Sequence, residues 1–195
     1  MSNILLYAEV TKENYLHTVL FELAYKAQEL SKKLNNADVS ALLICKTGLA
    51  ESFKEAFINS GFDTVYIAED DSFADYSTEL YAKAAVDIIK EINPDIMLIG
   101  ATTQGRDLAP RISASLHTGL TADCIGLDIN EKGQLAATRP TFGGKLMATI
   151  LYRKWRRSDR KCLSLHLKIL LKIQNLFILN LKLIISPKKL SLLNL

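Results

Sequence analysis

Through residue 152 the chain alternates short apolar runs with longer segments of helical period. Ile4-Leu5-Leu6-Tyr7-Ala8 reads as a buried strand. After it, Leu16, Leu20, Leu23, Ala24, Ala27, Leu30 and Leu34 recur three or four apart, as on one face of a helix. Val39 to Cys45 is a second strand, Leu49 to Asn59 a short helix closed by Ser60-Gly61, and Thr64 to Ala68 a third strand. Tyr76 to Ile92 is a second long amphipathic run, with Leu80, Ala84, Ile88 and Ile92 as its apolar line; Asn93-Pro94 stops it before a fourth strand, Asp95 to Ile99. Strands apolar on both faces, alternating with helices, predict a parallel sheet covered on two sides. The expected fold is a three-layer α/β sandwich: a mostly parallel sheet, helices on both faces and an antiparallel extension at one edge.

In such folds ligands sit beyond the carboxyl ends of the strands, which directs attention to the loops after Ala8, Cys45, Ala68 and Gly100. The richest is Gly100-Ala101-Thr102-Thr103-Gln104-Gly105-Arg106-Asp107, ahead of a helix read from Leu108 to Leu116. Thr102 or Thr103 suits an N-cap and Asp107 a first turn. Two readings stand for this loop: a capped strand-to-helix turn, or an anion site built from free amides. It matches neither GxGxxG nor a Walker loop. Beyond it the period changes to two. Asp123 to Asn130 and Gln134 to Arg139 flank a Glu131-Lys132-Gly133 turn; Pro140-Thr141-Phe142-Gly143-Gly144 interrupts, and Leu146 to Tyr152 resumes. These strands are expected to extend the sheet at one edge. Gly143-Gly144 reads either as a bulge or tight bend, or as a backbone approach to a ligand.

Composition divides the chain in two. No glycine follows Gly144, and from Arg153 to Leu195 there is no Gly, Ala, Val, Thr, Met or Glu. That stretch holds 11 of the 24 Lys+Arg and one acid, Asp159, a net +10; residues 1–152 carry 13 cations and 20 acids, a net −7. The overall +3 is therefore no ground for reading a basic surface, and no nucleic-acid partner is expected. Residues 1–152 are read as one domain and residues 153–195 as a separate basic tail rich in Leu, Ile and Lys. An out-of-frame translation after residue 152 accounts for the tail's biased alphabet; a basic amphipathic segment touching anionic membrane is the rival. Lys168, Lys172, Gln174, Asn175, Asn180 and Lys182 interrupt its apolar residues, which argues against stable membrane insertion. Met1-Ser2-Asn3 leads straight into a strand, without a signal-peptide pattern, so a cytoplasmic location is expected.

The run Leu98-Ile99-Gly100-Ala101-Thr102-Thr103-Gln104-Gly105-Arg106-Asp107-Leu108-Ala109-Pro110-Arg111, then Thr118-Gly119-Leu120-Thr121-Ala122-Asp123-Cys124, then Thr138-Arg139-Pro140-Thr141-Phe142-Gly143-Gly144-Lys145-Leu146-Met147-Ala148-Thr149, resembles the electron transfer flavoprotein alpha subunit. The opening strand ending in Ala8-Glu9 fits too, and the resemblance stops near Tyr152. It implies an electron carrier, without substrate chemistry of its own. Such a carrier is an alpha/beta heterodimer holding FAD, which takes electrons from acyl-CoA and related dehydrogenases and passes them on. It also implies a scaffold role for a domain like residues 1–152, packed against a beta subunit, with the flavin held by a further glycine-rich domain. Here Trp155-Arg156-Arg157-Ser158-Asp159 replaces the family's continuation, so no FAD-binding residue is assigned within the chain and none is expected to bind by this chain alone. By the resemblance, Thr102, Gln104, Arg106, Asp107, Arg139, Phe142, Gly143 and Gly144 are candidates for contacts to the beta subunit or to a flavin domain. For Arg106 and Arg139, surface solvation or an internal pair with Asp107 or Asp123 is the competing reading.

Other chemistry finds little support. Cys45, Cys124 and Cys162 lack CxxC spacing, and His17, His117 and His166 are isolated, so neither a disulfide framework, a zinc site nor a triad is indicated. Glu69-Asp70-Asp71 reads as a solvated acidic turn rather than a metal site. The rival function is a stand-alone adenine-nucleotide-binding α/β module using the loop at Thr102–Asp107.

Overall fold

The computed structural model describes residues 3–152 and, as backbone, three later strand segments at 170–171, 176–180 and 191–193. The central sheet is parallel in the order β3-β2-β1-β4: β1 is Asn3–Ala8, β2 Asp38–Cys45, β3 Thr64–Glu69 and β4 Ile96–Gly100. Tyr7 stands opposite Leu42 in the β1–β2 ladder, and Leu6 opposite Leu98 in the β1–β4 ladder. From Ile4 through Ala8 and from Val39 through Cys45 every residue is buried, because helices cover both sides.

On one face lie α1 (Val19–Lys33), a 3₁₀ turn (Ala50–Phe53) and α2 (Lys54–Asn59); on the other lie α3 (Thr78–Ile92) and α4 (Thr103–Ser115). Helix α1 begins three residues after Leu16, which is held outside it by a bridge to Val10. Its N-terminal Val19 amide donates to Nδ1 of His17 at 3.2 Å. The buried line of α3 is Tyr81, Ala82, Ala85, Val86, Ile88 and Ile89, rotated from the expected Leu80–Ala84–Ile88–Ile92 line; Leu80 is 43% exposed. Tyr81 stands on the buried side and is held there by its ring and its hydroxyl. Its ring packs edge-on against Phe73 and Tyr76, and its hydroxyl donates to the Phe73 carbonyl at 2.9 Å. Asn93, in the left-handed region at φ 51°, ends the helix.

Helix α4 starts at Thr103, five residues before the expected Leu108. The polar residues that looked like loop form the outer side of its first turns, while Gly105, Leu108, Ala109 and Ile112 line its buried side. Gly105 faces the end of β4 so closely that an added Cβ would lie 1.8 Å from the Gly100 carbonyl oxygen. Gly100 is equally confined, for a Cβ there would meet Val19 Cγ1 at 2.7 Å. These two glycines let the starts of α1 and α4 converge on one strand end.

After α4 comes β5 (Leu120–Thr121), then β6 (Gly126–Ile129), β7 (Leu135–Thr141) and β8 (Leu146–Tyr152). Strands β6, β7 and β8 ladder with one another in a separate three-stranded antiparallel sheet. Its inner residues Leu127, Leu135 and Ala137 join the α1-side core. Of the further segments, β9 is Leu170–Leu171, β10 Leu176–Asn180 and β11 Ser191–Leu193. The antiparallel extension of the main sheet stands at the β4 edge and is made by β10, with β5 beyond it, rather than by the hairpin strands. Strand β11 pairs antiparallel with β3 at the opposite edge. The frame and membrane readings of the tail, His166 and Cys162 lie outside the described residues. No helix among the described residues is long and apolar enough to cross a membrane.

The Gly105 contact gives a test of this packing. Alanine inside a helix is ordinarily favoured over glycine by ~1 kcal/mol, whereas the clash with backbone here cannot be relieved by a rotamer change. Gly105→Ala is expected to destabilise the chain by about 3 kcal/mol or more, measured by urea unfolding.

Candidate functional site

The connections from β1 run outward in one direction through β2 to β3, then return past β1 to β4. The switch point of the sheet is therefore the crevice between the carboxyl ends of β1 and β4, where doubly wound folds place their ligands. Glu9 follows β1 and Thr102 follows β4, and the two meet there.

Thr102 is the N-cap of α4. Its hydroxyl accepts from the Gly105 amide at 2.9 Å and donates to Oε2 of Glu9. Glu9 is only 8% exposed, and its own carbonyl accepts from the His17 amide at 2.9 Å. Burial pushes its carboxyl above the usual range, against the Thr102 hydrogen bond and the His17 charge, which pull it down. Two residues on, Gln104 donates its side-chain amide to the hydroxyl of Tyr7 at 2.6 Å. Burial raises the Tyr7 phenol well above its ordinary value.

Arg106 turns outward. Its Nε donates to the Ala101 carbonyl at 3.1 Å and its Nη2 meets Oδ1 of Asp123 at 3.3 Å. Both partners are about half exposed, so the pair is worth about 1 kcal/mol or less. For Arg106 the competing reading of an internal pair is met by Asp123, on a half-exposed guanidinium. Asp107 instead accepts from the hydroxyls of Thr78 and of Tyr76, the latter at 2.8 Å, tying α4 to the start of α3. Those two hydrogen bonds hold its carboxyl below the usual range.

The second group of candidates stands on the antiparallel sheet. Arg139 lies on β7 opposite Ala148, half-buried near Cys124. Burial drives the Cys124 thiol upward, and the Arg139 charge opposes that. Phe142, Gly143 and Gly144 form the 3₁₀ turn between β7 and β8. Phe142 is 81% exposed, and Gly144 is in the left-handed region at φ 87°. Among the described residues no atom lies within 4 Å of a Cβ built at Gly144, so the positive φ of the turn is what calls for glycine there. Thr102, Gln104, Arg106 and Asp107 thus share one helix start, while Arg139, Phe142, Gly143 and Gly144 belong to the other sheet.

Glu9, Tyr7, Tyr76 and Thr78 were not foreseen as parts of this network. The remaining loop ends are also internally occupied. Glu69 accepts from the Ala50 amide at 3.0 Å and sits 3.9 Å from the Cys45 sulfur; burial first, then the Glu69 charge, push that thiol up to about 12. Asp70 caps a 3₁₀ turn by accepting from the Ser72 amide. No group of three or more potential metal ligands stands together among the described residues. Nor do these residues fit a flavin pyrophosphate: the close approaches that Gly100 and Gly105 permit are filled by Val19 and by the Gly100 carbonyl.

A family profile for the electron transfer flavoprotein domain matches residues 4–154. The electron transfer flavoprotein subunit alpha of Thermoanaerobacterium thermosaccharolyticum is 45% identical over 148 residues, covering 76% of this chain and 44% of that protein. The corresponding subunit of Clostridium acetobutylicum is 43% identical over 141 residues, covering 72% and 41%. The lactate dehydrogenase (NAD(+),ferredoxin) subunit LctC of Acetobacterium woodii is 40% identical over 139 residues, covering 71% and 32%. The chain spans less than half the length of these curated relatives.

Glu9 predicts a pH dependence. Its folded pKa lies above its unfolded value, so the folded state holds the extra proton. Its contribution to stability is complete below the unfolded value and is lost as pH rises through the folded one. Urea unfolding from about pH 4 to about pH 8 should show this falling component in the parent chain, and Glu9→Gln should remove it.

Proposed function

Because the chain belongs to the electron transfer flavoprotein alpha-subunit family, we propose that residues 1–152 act as the scaffold domain of an alpha/beta electron carrier. The assembled carrier takes electrons from flavoprotein dehydrogenases through FAD in the cytoplasm and performs no substrate chemistry itself. The flavin is held outside the described residues, and this chain alone does not retain it. Its contribution is a rigid surface against which the beta subunit seats. The name of the LctC relative, a subunit of a dehydrogenase that uses NAD(+) and ferredoxin, is consistent with service alongside such redox partners.

The observation that carries the scaffold reading is an exposed apolar face on the antiparallel sheet, where the family match ends. On β8 the side chains of Met147 and Leu151 alternate outward and are 59% and 53% exposed; Leu146 is 59% exposed, and Phe142 projects from the adjoining turn. A patch of large apolar side chains on one strand and its turn is a feature of association surfaces. Among the eight candidates, Phe142, Gly143 and Gly144 are assigned to contact with the beta subunit, with Arg139 on the adjoining strand β7; Arg106, at the start of α4, is a separate contact candidate. Thr102, Gln104 and Asp107 act by holding α4 in place, since their hydrogen bonds run to Glu9, Tyr7, Tyr76 and Thr78. The same bonds weigh against a stand-alone adenine-nucleotide module.

Co-expression with a cognate beta subunit, followed by size-exclusion chromatography and flavin absorbance, tests this reading. Co-elution is expected. The double substitution Phe142→Ser, Met147→Ser should weaken the complex by at least about tenfold while leaving the fold intact. Separate elution of the unaltered chain would contradict the proposal.

A further inference from the structure

We propose that the segment Leu176–Asn180 is a strand donated in cis to a slot between β4 and β5, and that the main sheet is incomplete without it. The inference stands apart from the partner reading above and rests on strand order and register. In a crossover such as β4–α4–β5, the helix ordinarily returns the chain to a strand beside the one it left. Here the order is β4-β10-β5, so the two parallel strands stand two spacings, about 10 Å, apart with an antiparallel strand between them. The registers on the two sides agree. Ile178 stands opposite Leu98 of β4 and Thr121 of β5, and Leu179 opposite Met97 and Leu120. Leu176 and Phe177 stand opposite Gly100 and Ile99 of β4, and on their other side opposite Leu171 and Leu170 of β9. From Leu176 to Leu179 each residue thus has a ladder partner on both sides, which is the position of a central strand.

The walls of the slot are buried: Met97, Leu98 and Ile99 on β4 and Thr121 on β5 are fully shielded from solvent. Buried backbone amides and carbonyls need partners, and an open strand edge leaves a row of them without any. On one side β4 is served by β1, over Ile96–Leu98; on the other β10 serves it over its whole length, Ile96–Gly100. Helix α4 lies against β10 as well as against β4 and β5, so one helix covers all three. The sequence of β10, Leu-Phe-Ile-Leu-Asn, is the unbroken apolar run that suits a strand between two neighbours, and it holds no proline. At the opposite edge Ser191–Leu193 repeats the arrangement, antiparallel on Val65–Ile67 of β3. The chain beyond residue 152 therefore closes both flanks of the parallel order β3-β2-β1-β4. Without it, β4 would keep an open edge, and β5 would lose the ladder that joins it to the main sheet.

Residue-resolved hydrogen exchange of the full chain tests the donation. In the unaltered chain the amides of residues 177–179 are expected to exchange at least about a hundredfold more slowly than those of an unstructured chain. Ile178→Pro removes a ladder donor from the middle of the strand. It should abolish protection over residues 176–180 and speed exchange over residues 96–100 and 120–121 by at least about tenfold, with residues 4–8 and 39–45 unchanged. Ile178→Val keeps a strand former at the position and should behave as the parent. Unprotected amides over residues 176–180 in the unaltered chain would overturn the proposal, and this reading holds even where the proline variant does not fold. Unchanged exchange over residues 96–100 and 120–121 in a folded Ile178→Pro chain would overturn it too. Protection that fades on dilution, together with elution as a dimer, would assign the strand to a second copy and equally overturn donation in cis.

Discussion

The approach of α4 to the end of β4 governs the arrangement of this domain. With only hydrogen at Gly105, the first turn of the helix rests on the Gly100 carbonyl; with only hydrogen at Gly100, the start of α1 reaches the same point through Val19. Two helices on opposite faces of the sheet are thereby brought to one strand end. Thr102 is then placed to cap α4 and to reach Glu9 beyond the neighbouring strand. A larger side chain at Gly105 would press α4 off the end of β4, and one at Gly100 would press on Val19 at the start of α1.

The consequence is a division of labour between the two sheets. In the parallel sheet the carboxyl-end loops use their polar groups on one another: Glu9 with Thr102, Tyr7 with Gln104, Glu69 with the Ala50 amide, and Asp107 with Tyr76 and Thr78. Networks of this kind stiffen the region they cross. In the antiparallel sheet the situation is reversed. Inner residues such as Leu127 and Ala137 join the core, while Phe142, Met147 and Leu151 remain outside it. The first sheet is tied together by its own polar groups, and the second leaves large apolar side chains outside the core.

Much of this was legible in the chain. The buried strands announced themselves as continuous apolar runs, because a sheet covered on both faces tolerates no alternation. The start of α4 was not legible as such: Gln104, Arg106 and Asp107 have the composition of a loop. The spacing Gly105, Leu108, Ala109, Ile112 was the available signal, and it requires counting glycine as a buried position. The buried line of α3 was misjudged for a related reason, since Tyr81 was not counted as apolar although its ring is core and only its hydroxyl needs a partner. The hairpin was readable from Gly133 and its flanking alternation, but its sheet partner was not, because ladder partners are chosen by tertiary packing. Glu9 was visible only as a residue of the family-like opening. Its meeting with Thr102, 93 positions away in sequence, depends on strand order.

We propose that partner contact belongs to the antiparallel sheet rather than to the carboxyl-end crevice of the parallel sheet. Hydrogen exchange of the full chain, with and without a cognate beta subunit and separately with AMP, addresses both halves at once. The account predicts new protection over residues 142–151 on adding the beta subunit, and no change over residues 102–107 with AMP. Protection of residues 102–107 by AMP, with residues 142–151 unaffected by the beta subunit, would contradict it.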